Sequence, residues 1–195
     1  LMPVAKAFSK VNPNSLSALS LVLAAAAGLC YVLEGQPFLL LAALLVLASG
    51  FFDALDGKVA RISSKASKRG DFVDHVIDRY ADVIILAAIA VSSRCEMSFG
   101  LFAVIGVLLA SYMGTQAQAL GLGREYRGIL GRADRIAVLV VVSLVQYFFE
   151  AAGSPYATDV LGYSLIAWMM VYFGLAGNVT AVQRAWMIWK SLPKT

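Results

Sequence analysis

DALDGKVARISSKASKRGDFVDHVIDRYADVIILAAIAVSS, residues 53–93, is the stretch on which the reading of the chain turns. Its uncharged part, 83–93, is too short to cross a bilayer core, which takes roughly 20 apolar residues in helical form. Carried back to Phe72 it reaches full length, and it then contains Asp74, His75, Asp78, Arg79 and Asp82. A half-span would leave backbone polar groups facing lipid without partners. The sequence therefore predicts a complete membrane helix with acids at one end.

The surrounding chain agrees. It has 195 residues, 60% hydrophobic and 14% charged, whereas a soluble domain carries about 25% charged residues. Uncharged runs cover 11–33, 35–52, 97–123, 136–149 and 160–183. With residues 72–93 they predict an all-α integral membrane protein of six transmembrane helices, spanning about 14–34, 37–60, 71–93, 97–120, 132–152 and 158–183. Residues 1–12 read as a short amphipathic interfacial helix, with Val4, Ala7, Phe8 and Val11 on one face and Lys6 and Lys10 on another. Asn12-Pro13-Asn14-Ser15 is a turn and cap into the first span. The first span is long enough to stay in the membrane, so a cleaved signal peptide is not expected. Six helices leave no room for a sizeable soluble domain, and one domain, 1–195, is expected.

Basic residues set the orientation. Of the 16 lysines and arginines only Arg94 falls in an outer loop. The positive-inside rule places both termini and the 2–3 and 4–5 connections in the cytoplasm, in a multi-pass protein of the plasma membrane. Anionic headgroups account for the net charge of +4, so no nucleic-acid partner is expected. Cys30 and Cys95 both fall near the outer face; two unrelated thiols are the expectation, although a disulfide is geometrically open.

Acids inside membrane helices are costly and mark function. Asp53 and Asp56 stand i, i+3 at the inner end of the second span, and Asp74 and Asp78 stand i, i+4 at the start of the third, so each pair shares a helix face. A short connection makes the two helices antiparallel neighbours, and the pairs converge at one depth. Four facing carboxylates repel one another unless hard divalent cations neutralise them. An all-oxygen donor set suits magnesium, manganese or calcium rather than zinc. Gly57, Ala60 and Gly70 leave room beside the acids, and Arg61 can reach phosphate oxygens.

In sequence, residues 53–78 run D-x-x-D-G-x-x-A-R, eight residues, G-x-x-x-D-x-x-x-D. This resembles the signature of the CDP-alcohol phosphotransferase family at Asp53, Asp56, Gly57, Ala60, Arg61, Gly70, Asp74 and Asp78. The resemblance implies an enzyme that transfers a phosphatidyl-type group from a CDP-linked lipid (CDP-diacylglycerol or CDP-archaeol) to a small polar alcohol, with release of CMP, in phospholipid biosynthesis. It implies two Mg2+ or Mn2+ ions held by Asp53, Asp56, Asp74 and Asp78. Asp78 would also be the catalytic base. Asp56, Gly57, Ala60, Arg61, Ser67 and Gly70 would contact the donor nucleotide, membrane lipids would surround the chain, and a homodimer would form.

The segment Arg127-Gly-Ile-Leu-Gly-Arg132-Ala-Asp-Arg135 resembles the opening of the fifth helix in phosphatidylinositol phosphate synthases and their archaeal counterparts, where an arginine at the position of Arg135 binds inositol phosphate. Arg124, Arg127, Arg132 and Arg135 are accordingly acceptor-site candidates. The chain departs from those enzymes in having Gly114 and Gln116 where they place basic residues. Glycerol phosphate, serine and inositol therefore stay open as acceptors. Two other classes use acidic clusters in membranes. Intramembrane prenyltransferases spread their aspartate motifs over a larger bundle. Divalent-cation transporters place such sites near the midplane between repeats, whereas this cluster lies near the cytosolic end of its helices.

Overall fold

A computed structural model of the chain describes residues 2–33, 35–65, 67–123, 127–154 and 160–193. Seven helices form: α1 Met2–Ala7, α2 Pro13–Val32, α3 Gln36–Ile62, α4 Lys68–Val91, α5 Met97–Ala119, α6 Arg132–Ala151 and α7 Leu165–Ser191. Among the described residues there is no strand, only an isolated bridge between Val160 and Tyr163.

Local chemistry explains where the helices start. Asn12 caps α2 by accepting from the Asn14 N–H at 3.1 Å, and Pro13 fills the first helical position, where its missing N–H costs nothing. Ser67 caps α4 through the Gly70 N–H, and Ser164 caps α7 through the Ala167 N–H. This last cap shifts the final helix. The sequence predicts a span over 158–183, but the bridge at Val160–Tyr163 and the left-handed Leu161 (φ 56°) and Gly162 (φ 82°) hold the chain out of helix until Ser164. The helix then continues to Ser191.

α2, α3, α5 and α7 are long and apolar enough to cross a membrane. The chain is therefore an all-α membrane protein. The expected spans 71–93 and 132–152 exist as helices α4 and α6, of 24 and 20 residues, but they do not qualify by composition. α4 carries Asp71, Asp74, Asp78, Arg79 and Asp82, and α6 carries Arg132, Asp134, Arg135 and Glu150. Asp78, Asp82 and Arg135 face neighbouring helices, as the partners described below show, whereas Asp71 and Asp134, in the first turns of their helices, are exposed. The exposed large apolar residues of α4 and α6 include Phe72, Tyr80, Val91, Val141 and Phe148.

The expected interfacial helix is shorter than twelve residues, and its contact differs. Ala5, not Val4 or Ala7, is the buried residue of α1, and it packs with Leu16, Leu55 and Val59, flanked by Phe8, Val11 and Phe52. α1 is thus pinned to the C-terminal half of α3, beside the acids. Cys30 and Cys95 are both free. Burial pushes the Cys95 thiol up to about 11, leaving it protonated.

The helices approach closely because small residues face one another. A Cβ on Gly177 would lie 2.6 Å from the Gly106 carbonyl carbon, so α5 and α7 meet backbone to backbone. Gly28 receives Ile84 and Ala88 of α4, and Gly50 receives Ile136 of α6. A main core of Tyr31, Leu39, Val46, Ile89, Met170 and Phe173 lies between them, and it includes one polar contact, Tyr31 Oη to Ser143 Oγ at 2.6 Å.

Gly177→Val should cost about 1–3 kcal/mol or more, since a backbone neighbour cannot yield to the added side chain. The measurement is thermal unfolding in detergent micelles, followed by tryptophan fluorescence. Val22→Leu, on an exposed face, should leave the midpoint unchanged.

Candidate metal and phosphate site

α3 delivers Asp53 and Asp56 one turn apart in its C-terminal half, and α4 delivers Asp74 and Asp78 one turn apart in its first half. The pairs converge. One carboxylate oxygen from each of Asp53, Asp56 and Asp74 lies within 4.8 Å of the others, and Asp74, His75 and Asp78 form a second such group. Asp56 and Asp78 are buried. Like charges about 4 Å apart repel by roughly 4 kcal/mol per pair at an effective dielectric near 20, so the cluster requires positive charge.

The structure supplies part of it from α6. The Arg132 guanidinium donates through Nη1 to Asp53 Oδ2 at 2.8 Å and to Asp78 Oδ1. Arg79 lies 3.7 Å from Asp78 and 3.5 Å from Asp82, and the buried Arg135 donates to Asp82 Oδ2 at 2.7 Å. Acids and arginines thus alternate from Asp53 to Arg135. Three buried atoms of the series have no hydrogen-bond partner among the described residues, Asp53 Oδ1, Arg79 Nε and Arg132 Nε, and of these only Asp53 Oδ1 is an acceptor. A buried anionic oxygen without a donor, among carboxylates that share a small volume, fits a hard divalent cation with oxygen ligands.

Two cavities open on either side of the cluster, and Asp74 lines both. The first, about 170 Å³, is lined by all six residues expected at the donor nucleotide: Asp56, Gly57, Ala60, Arg61, Ser67 and Gly70. A Cβ on Gly57 would meet nothing within 4 Å, so it would project into open space. Ser67 has a structural task as well, the cap of α4. The cavity's third wall comes from α2, through Asn14 and Ser17. The Ser17 hydroxyl donates to Asp56 Oδ2 at 2.5 Å. The sequence reading missed Ser17, because a single serine in an apolar helix carries no local signal; its role comes only from the approach of α2 to α3.

The second cavity, about 240 Å³, is lined by Asp74, His75 and Asp78 of α4 together with Arg79, Arg132, Arg135 and Arg184. Of the four arginines expected at an acceptor, Arg132 and Arg135 are here. Arg127 does not line this cavity; its backbone carbonyl accepts from Arg184 Nε at 2.8 Å. Arg124 lies outside the described residues. Arg79 and Arg184 line it as well. Arg184 also donates to the Ala110 carbonyl of α5 at 2.6 Å, and Thr180, one turn earlier, holds the Leu130 N–H at 3.1 Å. α7 thereby grips the loop that closes the cavity. Gly128 allows this grip, since its φ is 142° and a Cβ there would overlap Thr180 at 2.4 Å.

Of the remaining polar residues, His75 lies 3.6 Å from Asp71 and 3.8 Å from Asp74. Gly114 and Gln116 line neither cavity. A further cavity, about 510 Å³, lies at the opposite end of the bundle around Arg94, Glu96, Glu150 and Tyr163. Within it Arg94 is bidentate to Glu150 at 2.9 and 3.0 Å.

The family model described as CDP-alcohol phosphatidyltransferase matches residues 10–193. An archaetidylinositol phosphate synthase of Methanothermobacter thermautotrophicus is 32% identical over 154 residues, 79% of this chain and 72% of that one. Another from Aeropyrum pernix is 30% identical over 179 residues, 90% of each chain. A phosphatidylinositol phosphate synthase of Corynebacterium glutamicum is 30% identical over 97% of this chain and 84% of its own. The fold is that of the Mycobacterium tuberculosis phosphatidylinositol phosphate synthase, solved in complex with manganese and citrate. Its TM-score is 0.77 at 21% identity, covering 99% of this chain and 92% of that one.

If Ser17 orients Asp56, Ser17→Ala should weaken Mn2+ binding by roughly tenfold, the usual effect of removing a hydrogen bond to a metal ligand. Mn2+ titration followed by electron paramagnetic resonance measures it, and Ser17→Thr should restore most of the affinity.

Proposed function

The chain belongs to the CDP-alcohol phosphatidyltransferase family, and from that premise we propose that it transfers a phosphatidyl-type group from a CDP-linked lipid to inositol phosphate, releasing CMP. The observation that carries this reading is the position of the aspartates. They lie between a cavity lined by the whole donor signature and a cavity lined by four arginines.

Asp53, Asp56, Asp74 and Asp78 would hold two Mg2+ or Mn2+ ions, which when bound would supply positive charge for the donor pyrophosphate and for the charge that develops on departing CMP. Gly57 leaves space for the nucleotide, and Arg61 with Lys65 offers charge to its phosphates. Ser17 fixes the carboxylate of Asp56. On the other side Asp78 faces the acceptor cavity. It accepts the proton of the attacking hydroxyl as the new oxygen–phosphorus bond forms on the lipid phosphate. The bond from that phosphorus to the bridging oxygen breaks, and CMP leaves with the electron pair. Arg79, Arg135 and Arg184 provide the charge that a phosphorylated alcohol needs and a neutral one does not.

The topology follows the charge pattern. α4 and α6 complete a six-span bundle, with both termini and the two cavities at the cytoplasmic face of the plasma membrane and one catalytic domain occupying the chain. Membrane lipids surround the apolar faces, and the working unit is a homodimer.

A CMP-release assay with a CDP-linked lipid, Mn2+ and a set of acceptors tests the proposal. Inositol phosphate should support release, and inositol, serine and glycerol phosphate should support much less; equal rates with inositol would contradict the arginine cavity's role. Asp78→Asn should lower release by about a hundredfold or more while the protein still folds. Arg184→Gln should raise the KM for inositol phosphate more than it lowers kcat.

A further inference from the structure

Arg132 faces two demands at once. It opens α6 and lines the arginine cavity. Yet its Nη1 is spent on Asp53 and Asp78, two of the carboxylates assigned to the metals. Its Nε is buried and has no partner among the described residues. Arg135, one turn further on, differs. It is paired with Asp82, which lies outside the metal-binding quartet, so it can serve the acceptor cavity without disturbing the acids.

We propose that Arg132 is an exchangeable counter-cation that couples the two cavities: it neutralises Asp53 and Asp78, and moves onto the acceptor phosphate when divalent ions take over those carboxylates. This rests on the metal and acceptor assignments of the preceding reading. Charge is the reason. A guanidinium 2.8 Å from Asp53 Oδ2 and a divalent ion on the same carboxylate repel each other strongly at this range. The arginine side chain is long, and an anion in the cavity it already lines would satisfy both Nη1 and the unpartnered Nε. The fork of a guanidinium suits two phosphate oxygens.

Linkage makes the coupling reciprocal. Acceptor phosphate draws Arg132 off the aspartates and so tightens metal binding; metal releases Arg132 and so tightens acceptor binding. Arg132 is a positioning and coupling residue in this account.

Mn2+ binding to the purified full-length chain in detergent tests it, read by electron paramagnetic resonance with no donor lipid present. In the wild type, saturating inositol phosphate should tighten Mn2+ binding about fivefold or more, within the usual range of coupling between sites. Arg132→Gln should bind Mn2+ more tightly than wild type without acceptor, and should lose the response to acceptor. Arg132→Lys keeps the charge and should fall between the two, which separates charge exchange from damage to the fold. Wild-type or weaker Mn2+ affinity in Arg132→Gln, or a persisting response to inositol phosphate, would overturn this inference alone. A wild-type chain that binds no Mn2+ would overturn it together with the metal assignment.

Discussion

Four carboxylates converge where α3 ends and α4 begins, and the rest of the structure answers their mutual repulsion. The oxygens of Asp53, Asp56 and Asp74 lie within 4.8 Å of one another. No apolar packing offsets that much like charge, so positive charge has to come from the chain or from ions. The chain brings Arg132 from α6 and Arg79 from α4. It also closes the site on a third side with Ser17 of α2. The close contacts at Gly28 and Gly50, where α4 meets α2 and α6 meets α3, set where these groups stand.

The same constraint explains the division into two cavities. The acids form a wall between them, with Asp74 common to both. On one side the walls are small residues, serine and Arg61, which suit a bulky nucleotide. On the other they are arginines, which suit a compact anion. The α5–α7 contact at Gly106 and Gly177 lies within the bundle, and from it Thr180 and Arg184 reach the loop that closes the arginine side. A transfer of a phosphatidyl-type group from a lipid nucleotide to a phosphorylated alcohol, with CMP leaving, is served by such an arrangement, with a separate cavity on each face of one acidic centre.

The aspartates and the donor wall were legible in the sequence because their information is local. Residues three and four apart on a helix share a face whatever the tertiary structure, and Asp53, Asp56, Gly57, Ala60, Arg61, Gly70, Asp74 and Asp78 lie on two consecutive helices. The acceptor wall was only half legible. Arg132 and Arg135 follow from one helix start, but Arg184 lies on α7, 57 positions beyond Arg127, and no spacing rule connects it to them. Ser17 was invisible for the same reason. For Arg127, a charge in a loop says nothing about which way the loop is held, and its backbone carbonyl accepts from Arg184 of α7. The late start of α7 depended on a cap and two left-handed residues, which hydropathy cannot detect. Composition does not separate the charges of α4 and α6 that face neighbouring helices, such as Asp82 and Arg135, from charges that are exposed.

The central claim is that the four aspartates form one metal centre between two substrate cavities. Crystals of the full-length chain grown with Mn2+ and measured at the manganese absorption edge test it most directly. The account predicts two anomalous peaks enclosed by Asp53, Asp56, Asp74 and Asp78, at the junction of the cavities. Peaks elsewhere, or none at this junction in crystals that contain the ion, would contradict it.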